Sequence, residues 1–229
     1  MTSKPEPYKF ESNEWSQERY DNNWLLNSDK LHDPRGTLGR YKTNDAEEQV
    51  AAIKEHLTNT RNAIDVGCRW GSFGMALHKI GFQHVHMIEM REYHFKGISY
   101  NVDMSRATAY NFAAMNKSGR VTRGGKMVIN TETGDVPAYA IDDLEVDNVD
   151  LIKIDVDGPD RLVLEGCLGT ISKCMPIIYI EYGEEQKAWE EKYGKGELKE
   201  SKDLWGILEA TYREIPGPEN NILLLPVYK

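Results

Sequence analysis

The stretch RNAIDVGCRWGSFG, residues 61–74, constrains the fold of this 229-residue chain more than any other segment. A short apolar run that contains Asp65 breaks at Gly67, Gly71 and Gly74, and a helical pattern of apolar residues follows. A strand that ends at closely spaced glycines and continues as a helix lets backbone N–H groups approach a ligand at the helix N-terminus. The stretch therefore predicts the cofactor-binding turn of a Rossmann-like sheet.

The spacing of the glycines distinguishes between cofactors. The dinucleotide fingerprint G-x-G-x-x-G would need its second glycine where the chain has Arg69, so the turn is not suited to a pyrophosphate. An acid two residues before the first glycine, followed by G-x-x-x-G, is similar to the motif of S-adenosylmethionine-dependent methyltransferases. That cofactor carries an ammonium and a carboxylate, which need an acid as well as N–H groups. An ordinary tight strand–helix turn is the alternative interpretation.

Composition and charge limit the class of protein. Hydrophobic content of 40% and charged content of 28% are typical of a soluble globular protein, and no apolar run approaches the roughly 18 residues of a membrane span. The N-terminus lacks the apolar core of a signal peptide, and the three cysteines, Cys68, Cys167 and Cys174, have no metal-type spacing. We therefore expect a cytoplasmic protein with no membrane partner. The net charge of −9 repels phosphate backbones and argues against a nucleic-acid partner.

The chain divides into two regions by its patterning. Residues 1–43 are polar but carry Trp15, Tyr20 and Trp24 near one helical face, which predicts an N-terminal extension. This extension is either a helix packed on the domain or a lid or wall of the substrate site, because aromatic faces bind sugars and flat rings. Residues 44–229 alternate strand and helix patterns and form the predicted Rossmann-like domain, with β-hairpins around residues 117–137.

Acidic residues follow three of the predicted strands. Glu89 ends the second strand, where Rossmann-like domains place an acid that binds a ribose diol. Asp155 and Asp157 follow the fourth strand, and Glu181 is near the end of the fifth. Ligands of open α/β sheets bind beyond the carboxyl ends of the strands, so these acids are candidate site residues.

Three further features of the sequence bear on the local structure and on metal binding. Lys153 is a cation in an otherwise apolar strand, so it must be paired or lie at the margin of the sheet. Asp157 precedes Gly158 and Pro159, which suits a cap of the next helix as well as a catalytic role. His84 and His86 share one strand face, but no third metal ligand is evident in the sequence.

Two stretches resemble the FkbM family of S-adenosylmethionine-dependent methyltransferases: AIDVGCRWGSFG at 63–74, and VDLIKIDVDGPDRLVLEG at 149–166 with the later IIYIEY. The second is the more specific, because it is similar to the family's K-I-D-V-E-G signature. The resemblance covers about residues 44–182. It implies an α/β fold, a class I methyltransferase sheet that is mostly parallel with an antiparallel strand in a C-terminal hairpin, and helices on both faces. It also implies methyl transfer to a hydroxyl oxygen, often on a sugar or natural product.

The resemblance also assigns the cofactor contacts by position. It places Asp65, Gly67, Cys68 and Gly71 around the methionine part, Glu89 at the ribose, and Met90, Asn111 and Phe112 beside the adenine. The chain departs from the family where Cys68-Arg69-Trp70 replaces a small residue, an asparagine and an apolar residue. Met90-Arg91 stands where a proline is usual.

Catalysis of this kind needs a group that removes the hydroxyl proton. The candidates for this general base are Asp155, Asp157 and Glu181, all at the same predicted edge of the sheet. Each could instead bind the cofactor or cap a helix. Paired acids could also hold a divalent cation, as in metal-dependent O-methyltransferases. However, Glu181-Tyr182-Gly183 lacks the asparagine that such sites often add, so we assign no metal.

Four functions are therefore compatible with the sequence. The first is an S-adenosylmethionine-dependent O-methyltransferase that acts on a hydroxyl of a sugar, glycan or other small molecule. A catalytically silent cofactor-binding module and a nucleic-acid 2′-hydroxyl methyltransferase are alternatives. A nicotinamide-dependent oxidoreductase is the fourth, and Arg69 in the glycine turn counts against it.

Overall fold

The protein is built on a seven-stranded sheet with a second, four-stranded sheet inserted into the chain. A computed structural model describes residues 4–11, 44–124, 127–130, 133–193, 208–218 and 221–227. The strands are β1 (Asn62–Val66), β2 (His84–Ile88), β3 (Ala107–Tyr110), β4 (Ala113–Ala114), β5 (Gly119–Gly124), β6 (Met127–Asn130), β7 (Val136–Tyr139), β8 (Val149–Ile154), β9 (Ile177–Glu181), β10 (Tyr212–Pro216) and β11 (Asn221–Pro226).

The large sheet confirms the predicted fold class. Its strand order is β10-β11-β9-β8-β1-β2-β3, and the second sheet has the order β4-β7-β5-β6. The pairs β3–β2, β2–β1, β1–β8 and β8–β9 are parallel, whereas β11 runs antiparallel to both β9 and β10. The carboxyl ends of β1, β2, β8 and β9 therefore meet at one edge, which is where the candidate acids lie.

Helices and helical turns connect these strands. They are α1 (Asn44–Lys54), α2 (Ser72–Ile80), α3 (Glu92–Phe95), α4 (Ile98–Asn101), a 3₁₀ turn (Ile141–Leu144), α5 (Asp160–Glu165), α6 (Leu168–Cys174) and α7 (Glu184–Tyr193). In the part of the chain that the structure describes, no helix is both long and apolar enough to cross a membrane.

Two helical segments are each divided in two. One covers residues 92–101, and its break lies at Gly97, where a Cβ atom would come within 2.5 Å of the Trp70 ring. The other follows Pro159 and breaks at Gly166, whose backbone packs against the Met115 carbonyl. In both places a distant part of the chain approaches the backbone, and helical periodicity carries no information about such contacts.

The core lies on both faces of the large sheet. Ile64 and Ile152 pack into one apolar cluster, and their neighbours Ala63 and Leu151 pack into a second. Parallel strands covered on both faces read as nearly continuous apolar runs, which is the pattern that the sequence has in β1 and β8. Cys167 is fully buried in the first cluster.

The segment from residue 4 to residue 11 covers the β3 edge of the sheet. The backbone N–H of Tyr8 donates to the Ala109 carbonyl at 2.9 Å, and the rings of Tyr8 and Phe10 pack against Phe95. Covering an edge strand removes a row of unpaired backbone groups. Trp15, Tyr20 and Trp24 of the predicted N-terminal extension lie outside the described residues. The division of the chain at residue 44 stays a prediction.

The glycine turn joins the ends of three strands. Gly67 and Gly71 have φ of 77° and 88°, values that only glycine adopts readily. The backbone N–H groups of Gly67 and Cys68 both donate to the Ile88 carbonyl, at 2.9 and 3.1 Å. A Cβ atom on Gly67 would lie 1.8 Å from the backbone oxygen of Asp155. The turn therefore fixes the end of β1 against both β2 and β8.

Gly67→Ala is expected to lower the free energy of unfolding by about 2–6 kcal/mol, since strain at positive φ and overpacking each cost about 1–3 kcal/mol. The matched control is Gly119→Ala, because no atom lies within 4 Å of a Cβ built on Gly119. Chemical denaturation of both variants measures the difference. A Gly67→Ala protein as stable as the Gly119→Ala protein would contradict the close approach of the turn to β8.

Candidate functional site

A cleft opens at the carboxyl ends of β1, β2 and β8, where ligands of parallel α/β sheets bind. It encloses about 520 Å³ of empty space, including the part that is open to solvent. Its lining is Val66, Gly67, Arg69, Ile88, Glu89, Met90, Arg91, His94, Phe112, Ala113, Ala114, Asp155, Val156, Asp157 and Pro159. Apolar side chains from β1, β2 and the segment after β3 form one wall, and the carboxylates of Glu89 and Asp155 belong to the same cleft.

Glu89 is held by one backbone donor on each carboxylate oxygen. The N–H of Arg91 donates to Oε1 at 2.7 Å, and the N–H of Arg69 donates to Oε2 at 3.0 Å. Burial raises the pKa of Glu89, and the N–H groups of Arg91 and Arg69 partly offset that rise. Each oxygen of an ionised carboxylate can accept more than one hydrogen bond, so the side chain is oriented and still able to bind a diol.

The eight residues predicted to bind the cofactor divide into two groups. Four of them line the cleft, namely Gly67, Glu89, Met90 and Phe112. The other four, Asp65, Cys68, Gly71 and Asn111, stand outside the lining. Asn111 donates from Nδ2 to the backbone carbonyl of Glu89 at 2.7 Å, and Cys68 is buried with Phe73 in the apolar core. The second group shapes the wall from behind, and a direct contact of its members with a cofactor stays a prediction.

The three candidate catalytic acids converge beyond the ends of β8 and β9, where Asp155 and Asp157 line the cleft. Carboxylate oxygens of Asp155, Asp157 and Glu181 all lie within 4.8 Å of one another. Asp155 and Asp157 follow β8, and Glu181 is the last residue of the neighbouring strand β9. The structure thus brings together the residues that the sequence placed at this edge.

The predicted helix cap by Asp157 is wrong. Helix α5 begins after Pro159 and has no side-chain cap. Asp157 has a φ of 60°, and its carboxylate lies instead with Asp155 and Glu181. Asp160, which is fully buried, shapes this loop: its oxygens accept from the N–H groups of Val156 and Gly158, each at 2.9 Å.

Lys153 is paired with acidic side chains and does not lie at the margin of the sheet. Its strand, β8, lies between β1 and β9 near the middle of the sheet, and the side chain is 6% exposed. The ammonium Nζ lies 3.2 Å from Asp155 Oδ2, 3.4 Å from Asp65 Oδ1 and 3.2 Å from the Gly67 carbonyl. Burial acts to lower the pKa of Lys153, but the two aspartates outweigh it, so the pKa is raised and the lysine stays charged.

Asp155 and Glu181 have pKa values shifted in opposite directions. Burial acts to raise the pKa of Asp155, but the ammonium of Lys153 outweighs it and the pKa is lowered. Burial and then the charge of Asp155 raise the pKa of Glu181. Such a difference within a pair of carboxyl groups separates an ionised base from a neutral acid.

Sequence reasoning missed two residues that support these acids. Asp160 stands one residue after Pro159, and its place in the first helical turn is a weak signal for a residue that binds backbone N–H groups. Gln186 donates from Nε2 to Glu181 Oε2 at 2.9 Å and accepts from the Gly183 N–H at 2.8 Å. Gln186 lies in a charged stretch of the sequence that gave no indication of this contact.

The histidines of β2 do not form a metal site in the described residues. The Nε2 atom of His84 is 2.8 Å from Thr108 Oγ1. Burial lowers the pKa of His86 to about 4, so this side chain is neutral at physiological pH. Neither histidine belongs to a group of three potential ligands in the described ranges.

The family of the chain follows from its sequence over most of its length. Residues 20–213 match the family model of the methyltransferase FkbM domain. The chain belongs to the FkbM methyltransferase family. No curated protein sequence matches it. The K-I-D-V stretch at the end of β8 and the acid cluster beside it therefore lie in an FkbM methyltransferase domain.

One solved FkbM structure agrees with this chain on the fold. The methyltransferase FkbM from Methylobacillus flagellatus has a TM-score of 0.51 at 17% identity, over 92% of this chain and 60% of that protein. The chain thus spans about three fifths of that protein's length. A second structure is a Pyrococcus abyssi tRNA (uracil-54, C5)-methyltransferase in complex with S-adenosyl-L-homocysteine. Its TM-score is 0.43 at 15% identity, and the match covers 82% of this chain and 39% of that protein. A ribosomal protein L11 methylase from Lactobacillus delbrueckii subsp. bulgaricus has a TM-score of 0.43 at 12% identity. The match covers 80% of this chain and 78% of that protein.

Protonation of Asp160 is expected to make the stability of the folded protein depend on pH. Burial raises its pKa from 3.8 to about 7 in the folded protein, so folding favours the protonated form. The stability that this contributes is complete below pH 3.8 and is lost as the pH rises through about 7. We expect the free energy of unfolding of the wild type, relative to Asp160→Asn, to fall over this range. Urea denaturation of both proteins at several pH values measures it, and a constant difference would contradict the assignment.

Proposed function

We propose that this FkbM methyltransferase uses S-adenosylmethionine to methylate a hydroxyl oxygen of a sugar, glycan or other small molecule. One observation carries the proposal: a single cleft contains both Glu89, oriented by two backbone N–H groups, and Asp155, kept ionised by Lys153. The first group suits a ribose diol and the second suits the removal of a hydroxyl proton. The two requirements of the reaction are therefore supported at one site.

The residues of the cleft fit the proposed cofactor. Glu89 would hold the ribose, Met90 and Phe112 would flank the adenine, and Gly67 leaves room beside the methionine part. When bound, S-adenosylmethionine supplies a methyl group on a positively charged sulfur. The rest of the chemistry falls to side chains of this chain.

Asp155 is the proposed general base. Its side chain is 41% exposed, so an acceptor hydroxyl can reach it, and Lys153 on its inner side favours the ionised form. A carboxylate within hydrogen-bond reach of the hydroxyl would take the proton as the oxygen forms its bond to the methyl carbon. The cleft walls would align the acceptor and exclude water, which supplies much of the rate enhancement in such a displacement.

The acceptor is proposed to be small and without a polyphosphate backbone. The net charge of −9 and the three carboxylates at the end of the cleft disfavour a nucleic acid as the partner. A test for the acceptor is transfer of a radiolabelled methyl group to panels of monosaccharides, oligosaccharides and hydroxylated small molecules, with RNA and DNA alongside. Transfer to RNA or DNA alone would replace this proposal with a nucleic-acid 2′-hydroxyl methyltransferase.

Glu89→Ala is expected to weaken S-adenosylmethionine binding at least tenfold, because two hydrogen bonds to a charged acceptor are worth roughly 1.5–3 kcal/mol each. Isothermal titration calorimetry measures the affinity, and circular dichroism checks the fold. Glu92→Ala is the matched control, since Glu92 is 69% exposed and pairs with Lys96 outside the cleft lining. An unchanged affinity in a folded Glu89→Ala protein would disprove the ribose contact.

Asp155→Asn is expected to bind the cofactor within a few-fold of the wild type but to transfer methyl groups roughly 10²–10⁴ times more slowly, the usual effect of losing a general base. Asp157→Asn should cost far less, because the Lys153 ammonium contacts the carboxylate of Asp155. Single-turnover transfer at saturating cofactor, with an acceptor from the panel, separates the two. If Asp157→Asn is the slow variant, the two aspartates have exchanged roles.

A further inference from the structure

The three acids at the end of the cleft cannot all be ionised at little cost, because their oxygens lie within 4.8 Å of one another. Asp155 and Glu181 lie close enough in this cluster for one of them to carry a proton and relieve the repulsion between their charges. The groups around the pair decide which of the two carries it.

Lys153 contacts only one member of the pair. Its Nζ atom lies 3.2 Å from Asp155 Oδ2 and also 3.4 Å from Asp65 Oδ1. The lysine side chain is 6% exposed, so water screens this attraction poorly. Negative charge on Asp155 is therefore stabilised from the inside of the sheet.

Glu181 has a different kind of partner. Gln186 of α7, which is 1% exposed, donates from Nε2 to Glu181 Oε2 at 2.9 Å. Its other amide atom, Oε1, accepts from the Gly183 N–H at 2.8 Å, so the amide cannot turn freely. Gln186 thereby occupies one oxygen of Glu181 with a neutral donor and leaves the other for Asp155.

We propose that Lys153 is a positioning residue that keeps the negative charge of the Asp155–Glu181 pair on Asp155 and the shared proton on Glu181, while Gln186 fixes the orientation of Glu181. The proposal rests on the proposed function in one respect, that Asp155 is the base. It names Lys153, Gln186 and neutral Glu181 as the groups that make Asp155 a base. The protonated Glu181 donates its hydrogen bond to Asp155 and so aims that carboxylate.

The other charged groups around the pair do not reverse this assignment. Asp65 of β1 also contacts the Lys153 ammonium, at 3.4 Å, so the two aspartates share this cation. The positive charge of Arg69 in the glycine turn lowers the pKa of Asp155 and so further favours its ionised form. The negative charge of Asp160 in α5 raises the pKa of Glu181 and so favours the protonated form of Glu181. Asp157 is the remaining member of the acid cluster, and it follows Asp155 on the same loop.

The same contacts argue against a divalent cation as the occupant of the cluster. A metal would need deprotonated oxygens from several of the acids. One oxygen of Asp155 already faces the Lys153 ammonium, and one oxygen of Glu181 accepts from Gln186. A cation at this position would also stand close to the positive charge of Lys153.

Carboxyl-carbon NMR tests the proposal without an acceptor or a cofactor. The protein is labelled at the side-chain carboxyl carbons of aspartate and glutamate, and the two signals are identified by their loss in Asp155→Asn and Glu181→Gln. In the wild type we expect Glu181 to titrate above the ordinary glutamate pKa of 4.5 and Asp155 below the ordinary aspartate pKa of 3.8. In Lys153→Met the titration midpoint of Asp155 should rise by more than about one pH unit, since an opposite charge this close lowers a carboxyl pKa by about 1–3 units.

Lys173→Met is the matched control. Lys173 is 64% exposed and pairs with Asp147, so its removal should leave both midpoints unchanged. If Lys153→Met does not fold because Asp65 is left without its cation, the double variant Asp65→Asn/Lys153→Met removes that unpaired charge and gives the same comparison. An Asp155 midpoint that is equal in the wild type and in the folded Lys153 variant would overturn the proposal.

Two further results would also overturn it. One is a raised pKa that belongs to Asp155 instead of Glu181. The other is a shift of both carboxyl signals on addition of millimolar MgCl₂, which would make the cluster a metal site. Failure of the proposed function is distinguishable, because a protein with the expected titrations that transfers no methyl group to any acceptor contradicts the function alone.

Discussion

The structure depends on the neutralisation of one buried cation. Lys153 lies in the middle of the large sheet with its ammonium between Asp65 and Asp155. An unpaired charge in such a place would cost several kcal/mol, so the lysine can be buried only if its partners are close and well oriented. Those partners come from β1 and from the end of β8. The ion group therefore fixes the two central strands relative to each other at the level where the cleft begins.

The glycine turn reinforces the same junction. Lys153 reaches the Gly67 carbonyl at 3.2 Å, and the backbone of Gly67 packs so closely on Asp155 that no side chain fits between them. The N–H groups of Gly67 and Cys68 are bonded to the end of β2, and the N–H of Arg69 orients Glu89. The turn thus serves mainly to hold other groups in place. The positions of Glu89 and Asp155 in one cleft are a consequence of this single junction.

The segments after β8 and β9 complete the acid cluster. Asp160 binds the backbone on both sides of Asp157, which places that residue in the left-handed conformation. Trp189 of α7 packs on Gly158, where a Cβ atom would come within 2.7 Å of its ring. The same helix supplies Gln186 to Glu181. A cluster built this way rests on strand ends and buried supports, which hold it more firmly than an exposed loop could.

The sequence by itself determined the local elements and the edge at which the site lies. The glycines of residues 61–74 require a turn, the apolar run of residues 149–154 requires a buried strand, and acids that follow parallel strands must meet at one edge. Even the need to pair Lys153 could be deduced, since a lone buried cation is too costly. These conclusions depend on chain neighbours and on general energetic rules, both of which a sequence displays.

Only the tertiary structure decided which partners meet. The sequence could not name Asp65 as the second partner of Lys153, because the two are far apart along the chain and adjacent only through the pairing of β1 with β8. It assigned the helix cap to Asp157, whereas Asp160 takes the backbone N–H groups of that loop. It did not predict the contact of Gln186 with Glu181, because the residues around Gln186 in the sequence are polar whether its amide faces water or Glu181. Contacts between distant segments set these roles, and residue spacing along a chain does not encode them.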